Sequence, residues 1–215
     1  MNQAVLELTH GRNNPRNSEG AFVALKDGRI MYAYTRYYGK SWSDEATAEI
    51  AARYSDDHGR TWTKRDEIIV KNEGKRNVMS VSLLRLHDGR IGLWYLRKNS
   101  LLDCRAHLRT SRDEGRTWSK PTLCIPADGY FVTNNDRVVQ LKTGRLIVPA
   151  SLHMGSWREN KLVTDFDHRG IAMYFYSDDA GRTWSRSQWH AVGPKVDSGL
   201  QEPGCVALKR GRLLG

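Results

Sequence analysis

An eight-residue pattern occurs three times in the chain and constrains its fold more than any other feature. Each copy reads Ser-x-Asp-x-Gly-Arg-Thr-Trp, and the copies span residues 55–62, 111–118 and 177–184. Asp and Gly at this spacing favour a tight turn, because Asp can accept hydrogen bonds from the backbone and Gly readily adopts positive φ. Thr-Trp is typical of a strand that resumes after the turn. The repetition predicts an array of similar small β units, in which the repeated aspartates are structural: Asp57, Asp113 and Asp179.

A second repeat, Leu-x-x-Gly-Arg-Ile/Leu, lies between apolar runs and is typical of a β-hairpin. It occurs four times, with glycines at positions 28, 89, 144 and 211, so that one unit is about sixty residues long. The segments 49–53, 105–109 and 171–175 predict a third strand in each full unit, and the Asp turn leads into a fourth. Four antiparallel strands per unit are typical of a propeller blade. Because no stretch shows sustained helical periodicity, we expect an all-β fold.

These spacings predict one β-propeller domain, residues 1–215, built from four-stranded antiparallel blades. The expected boundaries are about 16–70 for blade 1, 75–125 for blade 2, 130–192 for blade 3 and 199–215 for the start of blade 4. The fourth hairpin would be interrupted at Gly215, which would leave backbone groups of its partner strand unpaired. We therefore expect about three and a half blades here, from the N-terminal part of a propeller of about six.

The composition argues against several classes of function. The net charge is +10, but the arginines and aromatic residues are spread through the repeating units, so no nucleic-acid partner is expected. The three cysteines follow no metal-ligand spacing, and neither a glycine-rich phosphate loop nor a histidine cluster occurs. We expect no metal, no cofactor and no membrane partner. Residues 1–8 lack a secretory pattern, which makes a cytoplasmic location the default expectation.

Alignment of the repeats with one another identifies candidate site residues without any homologue. Nine residues before the hairpin glycines lie Glu19, Ser80, Asn135 and Glu202. Asp136 and Arg137 follow the third of these positions. Arg36 and Arg97 lie eight residues after their glycines, at the far end of the second strand. Polar groups that converge on a propeller channel predict a binding site, although buried salt links between blades are the alternative interpretation.

The triple motif and its neighbours resemble the Asp-box repeats of sialidases (neuraminidases) over the whole chain. Residues 28–36, followed by 43–50, are similar to the first blade of that family, and the resemblance implies that Asp44 is the catalytic acid/base. Residues 199–213 resemble the segment whose glutamate activates a tyrosine nucleophile, which implies that role for Glu202. The resemblance implies an exo-glycosidase that hydrolyses terminal sialic acid, or a related acidic sugar, with retention.

The chain departs from the family at its first blade. Sialidases begin with an Arg-Ile-Pro segment whose arginine is the first of three that bind the substrate carboxylate. Here the segment reads Pro-Arg-Asn-Ser-Glu-Gly, and Arg16 lies about two residues early in the hairpin register. The other two arginines and the tyrosine would lie beyond Gly215, so we expect these residues alone to be inactive.

The predicted site therefore combines two catalytic residues, Asp44 and Glu202, with a set of substrate-binding residues: Arg16, Arg36, Asn135, Asp136 and Arg137. The expected partner is a carbohydrate, either a sialoglycoconjugate or another acidic glycan, because guanidinium groups bind carboxylates through paired hydrogen bonds. Two alternatives remain open. One is a non-catalytic propeller that binds carbohydrate or protein, and the other is a glycosidase of different specificity, suggested by Arg16 and the segment 134–137.

Overall fold

The computed structural model describes the backbone of residues 4–158, 161–209 and 212–215, and the side chains of these residues except those of 156–166. As predicted, the described chain is nearly all β. Its strands are β1 (Asn17–Ala24), β2 (Ile30–Tyr37), β3 (Ala48–Ser55), β4 (Glu67–Val70), β5 (Asn77–Arg85), β6 (Ile91–Ser100), β7 (Asp103–Ser111), β8 (Thr122–Leu123), β9 (Gly129–Val132), β10 (Val139–Gln140), β11 (Leu146–His153), β12 (Gly155–Arg158), β13 (Lys161–Phe166), β14 (Ile171–Ser177), β15 (Ser185–Ala191), β16 (Val206–Ala207) and β17 (Leu213–Leu214).

The first sheet is a four-stranded antiparallel meander in the order β1-β2-β3-β4, which we call unit 1. The turn between β1 and β2 is closed by a hydrogen bond of 2.8 Å from the backbone N–H of Leu25 to the carbonyl of Arg29. Gly28 has φ of 88° there, a conformation that a residue with a Cβ adopts only at a cost. The hairpin predicted from the second repeat is therefore confirmed at this position.

The second sheet contains nine strands and holds two further units. Unit 2 comprises β5, β6, β7 and β8, and unit 3 comprises β10, β11, β14 and β15. Pairing within each unit is antiparallel, as expected. Strand β9 joins the units, because it pairs in parallel with β7 and antiparallel with β11. The hairpins β12–β13 and β16–β17 form separate two-stranded sheets, so the number of blades and the closure of a ring stay predictions.

The repeated aspartates stabilise their turns from within. In the first copy, the Asp57 carboxylate accepts a hydrogen bond of 2.8 Å from the Thr61 N–H and one of 2.6 Å from its hydroxyl. Asp113 and Asp179 accept the corresponding bonds in the other copies. These bonds help to lower the pKa of each carboxyl to about 2. The three aspartates are therefore structural, as their turn chemistry predicts.

Each later Asp turn packs against the unit before it. Gly115 lies against the Met31 side chain of unit 1, and Gly181 lies against Leu108 of unit 2. Two hydrophobic cores run between the units, one joining units 1 and 2 and the other joining units 2 and 3. Burial between units stabilises their mutual arrangement and so brings the ends of their inner strands together.

Candidate functional site

We call the first strand of each unit its inner strand. The inner strands of units 1 and 2, β1 and β5, are irregular at the positions that the repeat alignment selects. The β1–β2 register shifts between Ser18 and Gly20, and Glu19 has φ of 48°. The β5–β6 register shifts in the same way, and Ser80 has φ of 59°. In unit 3 the positive φ of 54° belongs to Asp136, one residue beyond the aligned Asn135. Positive φ is uncommon outside glycine, and bulges of this kind turn side chains toward functional sites.

A cleft of about 220 Å³ lies at these strand ends, and we call it the inner cleft. Side chains from all three units and from the segment after β15 line it, including Glu19, Asp44, Ser80, Lys98, Tyr130 and Glu202. The two residues predicted to be catalytic, Asp44 and Glu202, thus face the same cavity although they are distant in sequence.

Asp44 lies on the loop between β2 and β3, and its side chain is 62% exposed. Its carboxylate accepts a hydrogen bond of 2.5 Å from Nη1 of Arg16, whose guanidinium lies 4.7 Å from the centre of the Tyr37 ring. Partial burial opposes the charge of Arg16, but the bond to Asp44 and the neighbouring groups raise its pKa. The structure therefore places Arg16 beside the predicted acid/base, at the margin of the inner cleft.

Glu202 lies between β15 and β16, and its carboxylate is 3.9 Å from Nη2 of Arg137. The segment that contains Arg137 crosses to neighbouring units. The Asn135 amide donates to the carbonyl of Gly20 at 3.3 Å, and the backbone N–H of Asp136 donates to the carbonyl of Val81 at 3.0 Å. Among the described residues, Asn134 rather than these three lines the cleft. The segment 135–137 is therefore adjacent to the cleft and bridges the units.

Arg36 has a different environment from the other predicted binding residues. Its guanidinium contacts Glu49 at 2.8 Å and Asp66 at 3.1 Å, both within unit 1. Asp66 also accepts hydrogen bonds of 2.6 Å from Arg53 and from the Tyr34 hydroxyl. Arg36 is not among the residues that line the inner cleft. This geometry favours a structural role, in which Arg36 helps to pack its own unit, although its salt links lie within one unit and not between units as the alternative interpretation expects.

Several cleft residues have no counterpart in the predicted site. Glu19 and Ser80 were identified by the alignment of repeats without a role, and the Ser80 hydroxyl donates to Glu19 at 2.8 Å. Burial is the main cause of a raised pKa at Glu19. The repeat alignment selects Arg97 in β6, and Lys98 is the next residue along the strand. An alignment shifted by one residue would therefore have selected Lys98. Tyr130 and His153 come from strands β9 and β11 and carry no periodic signal in the sequence.

Two searches of the described residues concern metal ligands and membrane-spanning helices. Its His, Cys, Asp and Glu residues form no group of three or more that could hold a metal ion. Within the same residues, no helix combines the length and the apolar character needed to cross a bilayer.

The chain matches the model of the BNR repeat-like domain family over residues 37–214. It therefore belongs to that family of Asp-box proteins. A sequence search of curated proteins finds no match.

Solved structures with the same fold extend the comparison. A Dyadobacter fermentans protein of unknown function superposes with a TM-score of 0.68 at 16% identity, covering 95% of this chain and 62% of that one. A Trypanosoma rangeli sialidase superposes with a TM-score of 0.63 at 20% identity, covering 92% of this chain and 33% of that one. The intramolecular trans-sialidase of Ruminococcus gnavus superposes with a TM-score of 0.65 at 13% identity, covering 98% of this chain and 67% of that one. The resemblance to sialidase-type Asp-box propellers is confirmed at the level of fold, and the chain spans between about a third and two thirds of these structures.

Proposed function

We propose that the chain forms part of the active site of an exo-glycosidase that removes terminal sialic acid, or a related acidic sugar, with retention. One feature of the structure supports this most directly. Asp44 and Glu202 come from loops far apart in sequence, yet both line the same cleft of about 220 Å³. Sialidases and trans-sialidases are among the solved proteins that share the fold, which is consistent with a glycosidase.

In this proposal Asp44 donates a proton to the glycosidic oxygen and later accepts one from water. Its carboxyl is mostly exposed and lies on a loop at the cleft, where a leaving group can reach it. Glu202 acts as the base for a tyrosine nucleophile, an arrangement that keeps a second carboxylate away from the anionic sugar. Tyr130 also lines the cleft, but burial raises its pKa to about 12, which disfavours the phenolate. We propose that the nucleophile is the tyrosine that the family resemblance implies, outside these 215 residues.

Two arginines next to the cleft are the proposed anion-binding groups. Arg16 is bonded to Asp44, and Arg137 lies 3.9 Å from Glu202. A guanidinium has five N–H donors, so either arginine can bind a substrate carboxylate while it keeps its internal partner. Asn135 and Asp136 border the same region, and we assign them a supporting part in sugar binding.

Glu19 favours a second candidate, a glycosidase that acts on a different sugar. Its carboxyl group lines the cleft close to where the family resemblance would place an arginine. A carboxylate repels a substrate carboxylate but accepts hydrogen bonds from sugar hydroxyls. Comparison of acidic and neutral aryl glycosides as substrates decides between the two specificities.

The test compares two substrate types in the protein encoded by the complete open reading frame that contains these residues. Asp44→Ala should lower kcat/KM by about 10²- to 10⁴-fold for a substrate with a poor leaving group, whose oxygen needs a proton. An aryl glycoside with a good leaving group should be affected much less in the glycosylation step. Glu202→Gln should depress turnover of both types, because the nucleophile loses its base whatever the leaving group.

Asp56→Ala is a matched control, because Asp56 is an exposed carboxylate of the first Asp turn and does not line the cleft. It should leave both rates unchanged. Equal losses on both substrate types for Asp44→Ala would reject the acid/base assignment. Sugar binding without hydrolysis in the wild-type protein would instead favour a non-catalytic binding module.

A further inference from the structure

Two buried side chains of unit 2 hold the loop of unit 1 that carries Asp44. The side-chain amide of Asn77 donates to the backbone carbonyl of Asp44 at 2.8 Å and to that of Ala46 at 2.7 Å. Nζ of Lys98 donates to the same Asp44 carbonyl at 3.0 Å. The loop is thus bonded at Asp44 itself and two residues beyond it.

The contact made by Lys98 is a charged one in a buried setting. Only 2% of Lys98 is exposed, and its ammonium lies 3.0 Å from Oε1 of Glu45, the residue after Asp44. Glu45 also pairs with Arg76, which immediately precedes Asn77. Burial by itself would lower the pKa of Lys98, but interactions with Tyr130, Cys104 and Glu45 raise it. Hydrogen bonds from a charged donor are stronger than neutral ones, so this contact fixes the loop firmly.

Other side chains also bond unit 2 to unit 1. Glu114 and Arg85 form an ion pair within unit 2. The Glu114 carboxylate accepts from the Lys26 N–H and Arg85 donates to the Ala24 carbonyl, so this pair bonds unit 2 to the end of β1 and the turn after it. Within unit 1 the loop has short-range bonds, such as those from the Ala46 N–H to the Ser43 carbonyl and from the Glu45 N–H to the Ser43 hydroxyl. It is also held by Arg16, which donates to the Trp42 carbonyl and to the Asp44 carboxylate. The bonds from Asn77 and Lys98 tie this local turn to unit 2, and Lys98 lines the inner cleft as well.

We propose that Lys98 and Asn77 are positioning residues, which fix the backbone of Asp44 so that its carboxyl group lies at the glycosidic oxygen. This inference depends on the acid/base role proposed for Asp44. A proton is transferred efficiently only when donor and acceptor are within hydrogen-bonding distance, and small displacements of a catalytic group lower the rate sharply.

Lys98→Met removes the charge and the donor but keeps an unbranched side chain of similar length. It should lower kcat for a poor-leaving-group substrate by about 10- to 100-fold and affect a good aryl leaving group much less. Lys98→Gln retains an N–H donor and should recover part of that loss. In the Asp44→Ala background, Lys98→Met should cause little further loss, because the residue acts through Asp44.

Glu114→Gln is the matched control, since it disturbs the same boundary between units without touching the loop. It should leave the ratio of the two substrate rates at the wild-type value. A purely structural Lys98 would lower both rates equally and would cost as much in the Asp44→Ala background as in the wild type. Either result would overturn the proposal.

Hydrogen exchange at residues 43–47 separates this proposal from the acid/base assignment. Lys98→Met and Asn77→Ser should both accelerate exchange of the Ala46 amide, whereas Glu114→Gln should not. If exchange accelerates but Asp44→Ala shows no dependence on the leaving group, the proposed chemistry of Asp44 is wrong, and the contribution of Lys98 to catalysis through Asp44 is overturned with it. If Asp44→Ala behaves as expected and exchange is unchanged in both variants, only the positioning role is overturned.

Discussion

Replacing Glu114 by glutamine should lower the free energy of unfolding by about 2 kcal/mol. The Glu114 carboxylate accepts two hydrogen bonds from Arg85, at 2.8 and 2.6 Å, and one from the backbone N–H of Lys26, at 2.8 Å. A hydrogen bond to a charged group contributes about 1.5–3 kcal/mol when it is buried. The glutamine keeps one acceptor oxygen, and Arg85 is partly exposed to screening solvent, so the expected loss is well below the sum of three such bonds.

The loss should depend on pH in a defined direction. The hydrogen bonds from Arg85 are the main cause of a Glu114 pKa lowered to about 2. A glutamate in the unfolded chain has a pKa of about 4.3. Because the folded-state pKa is the lower one, the stabilising contribution is present above the unfolded value and is lost as the pH falls toward 2. The difference between wild type and Glu114→Gln should therefore shrink in that window.

Urea unfolding, followed by tryptophan fluorescence at about pH 7 and about pH 3, measures both effects. Asp178→Asn is the control, because Asp178 forms a 2.7 Å ion pair with Arg145 but is 57% exposed. An exposed pair of this kind contributes little to stability, because solvent screens the two charges. Equal losses for the two variants, or a Glu114→Gln effect that stays constant between the two pH values, would refute the reasoning.

Further predictions concern the cleft and the turns. Glu19→Gln should raise stability at neutral pH, because burial raises the pKa of Glu19, and the gain should vanish at low pH where the wild-type carboxyl is protonated. Arg36→Met should lower the melting temperature but leave KM unchanged. A strong rise in KM would instead show that Arg36 binds the substrate. Gly144→Ala should lower the free energy of unfolding by about 1–2 kcal/mol, because alanine is strained at the positive φ of this position. Gly181→Ala should lower the free energy of unfolding, measured by urea unfolding, more than Gly144→Ala does, because the new Cβ would also lie 2.3 Å from Leu108. Equal losses for the two variants would contradict that contact.

The sequence predicted the strands well because the repeats carry their own local signals. The third strands expected at 49–53, 105–109 and 171–175 lie inside β3, β7 and β14. Turn chemistry is local, since a Gly at positive φ and an Asp that accepts bonds from a Thr four residues later depend on adjacent residues alone. The parallel pairing of β9 with β7 had no such signal, because it joins segments on different units.

The candidate site was only partly predictable for the same reason. The periodic alignment found Glu19, Ser80 and Glu202, because equivalent positions in each unit reach the same end of the inner strands. It also selected Arg36, since periodicity gives the position of a residue but not the partners that its side chain finds. Glu49 and Asp66 hold that guanidinium inside unit 1.

The sequence by itself determined the β units, their turns and the positions of their inner strands, because hydrogen bonding within each turn and alternation along each strand depend on neighbouring residues. Only the tertiary structure decided which polar groups meet. Asp44 faces the cleft together with Glu202, and Asn77 and Lys98 reach across from unit 2 to bond the Asp44 backbone. These contacts join residues of different units, and they form only when burial of the hydrophobic cores brings the units together.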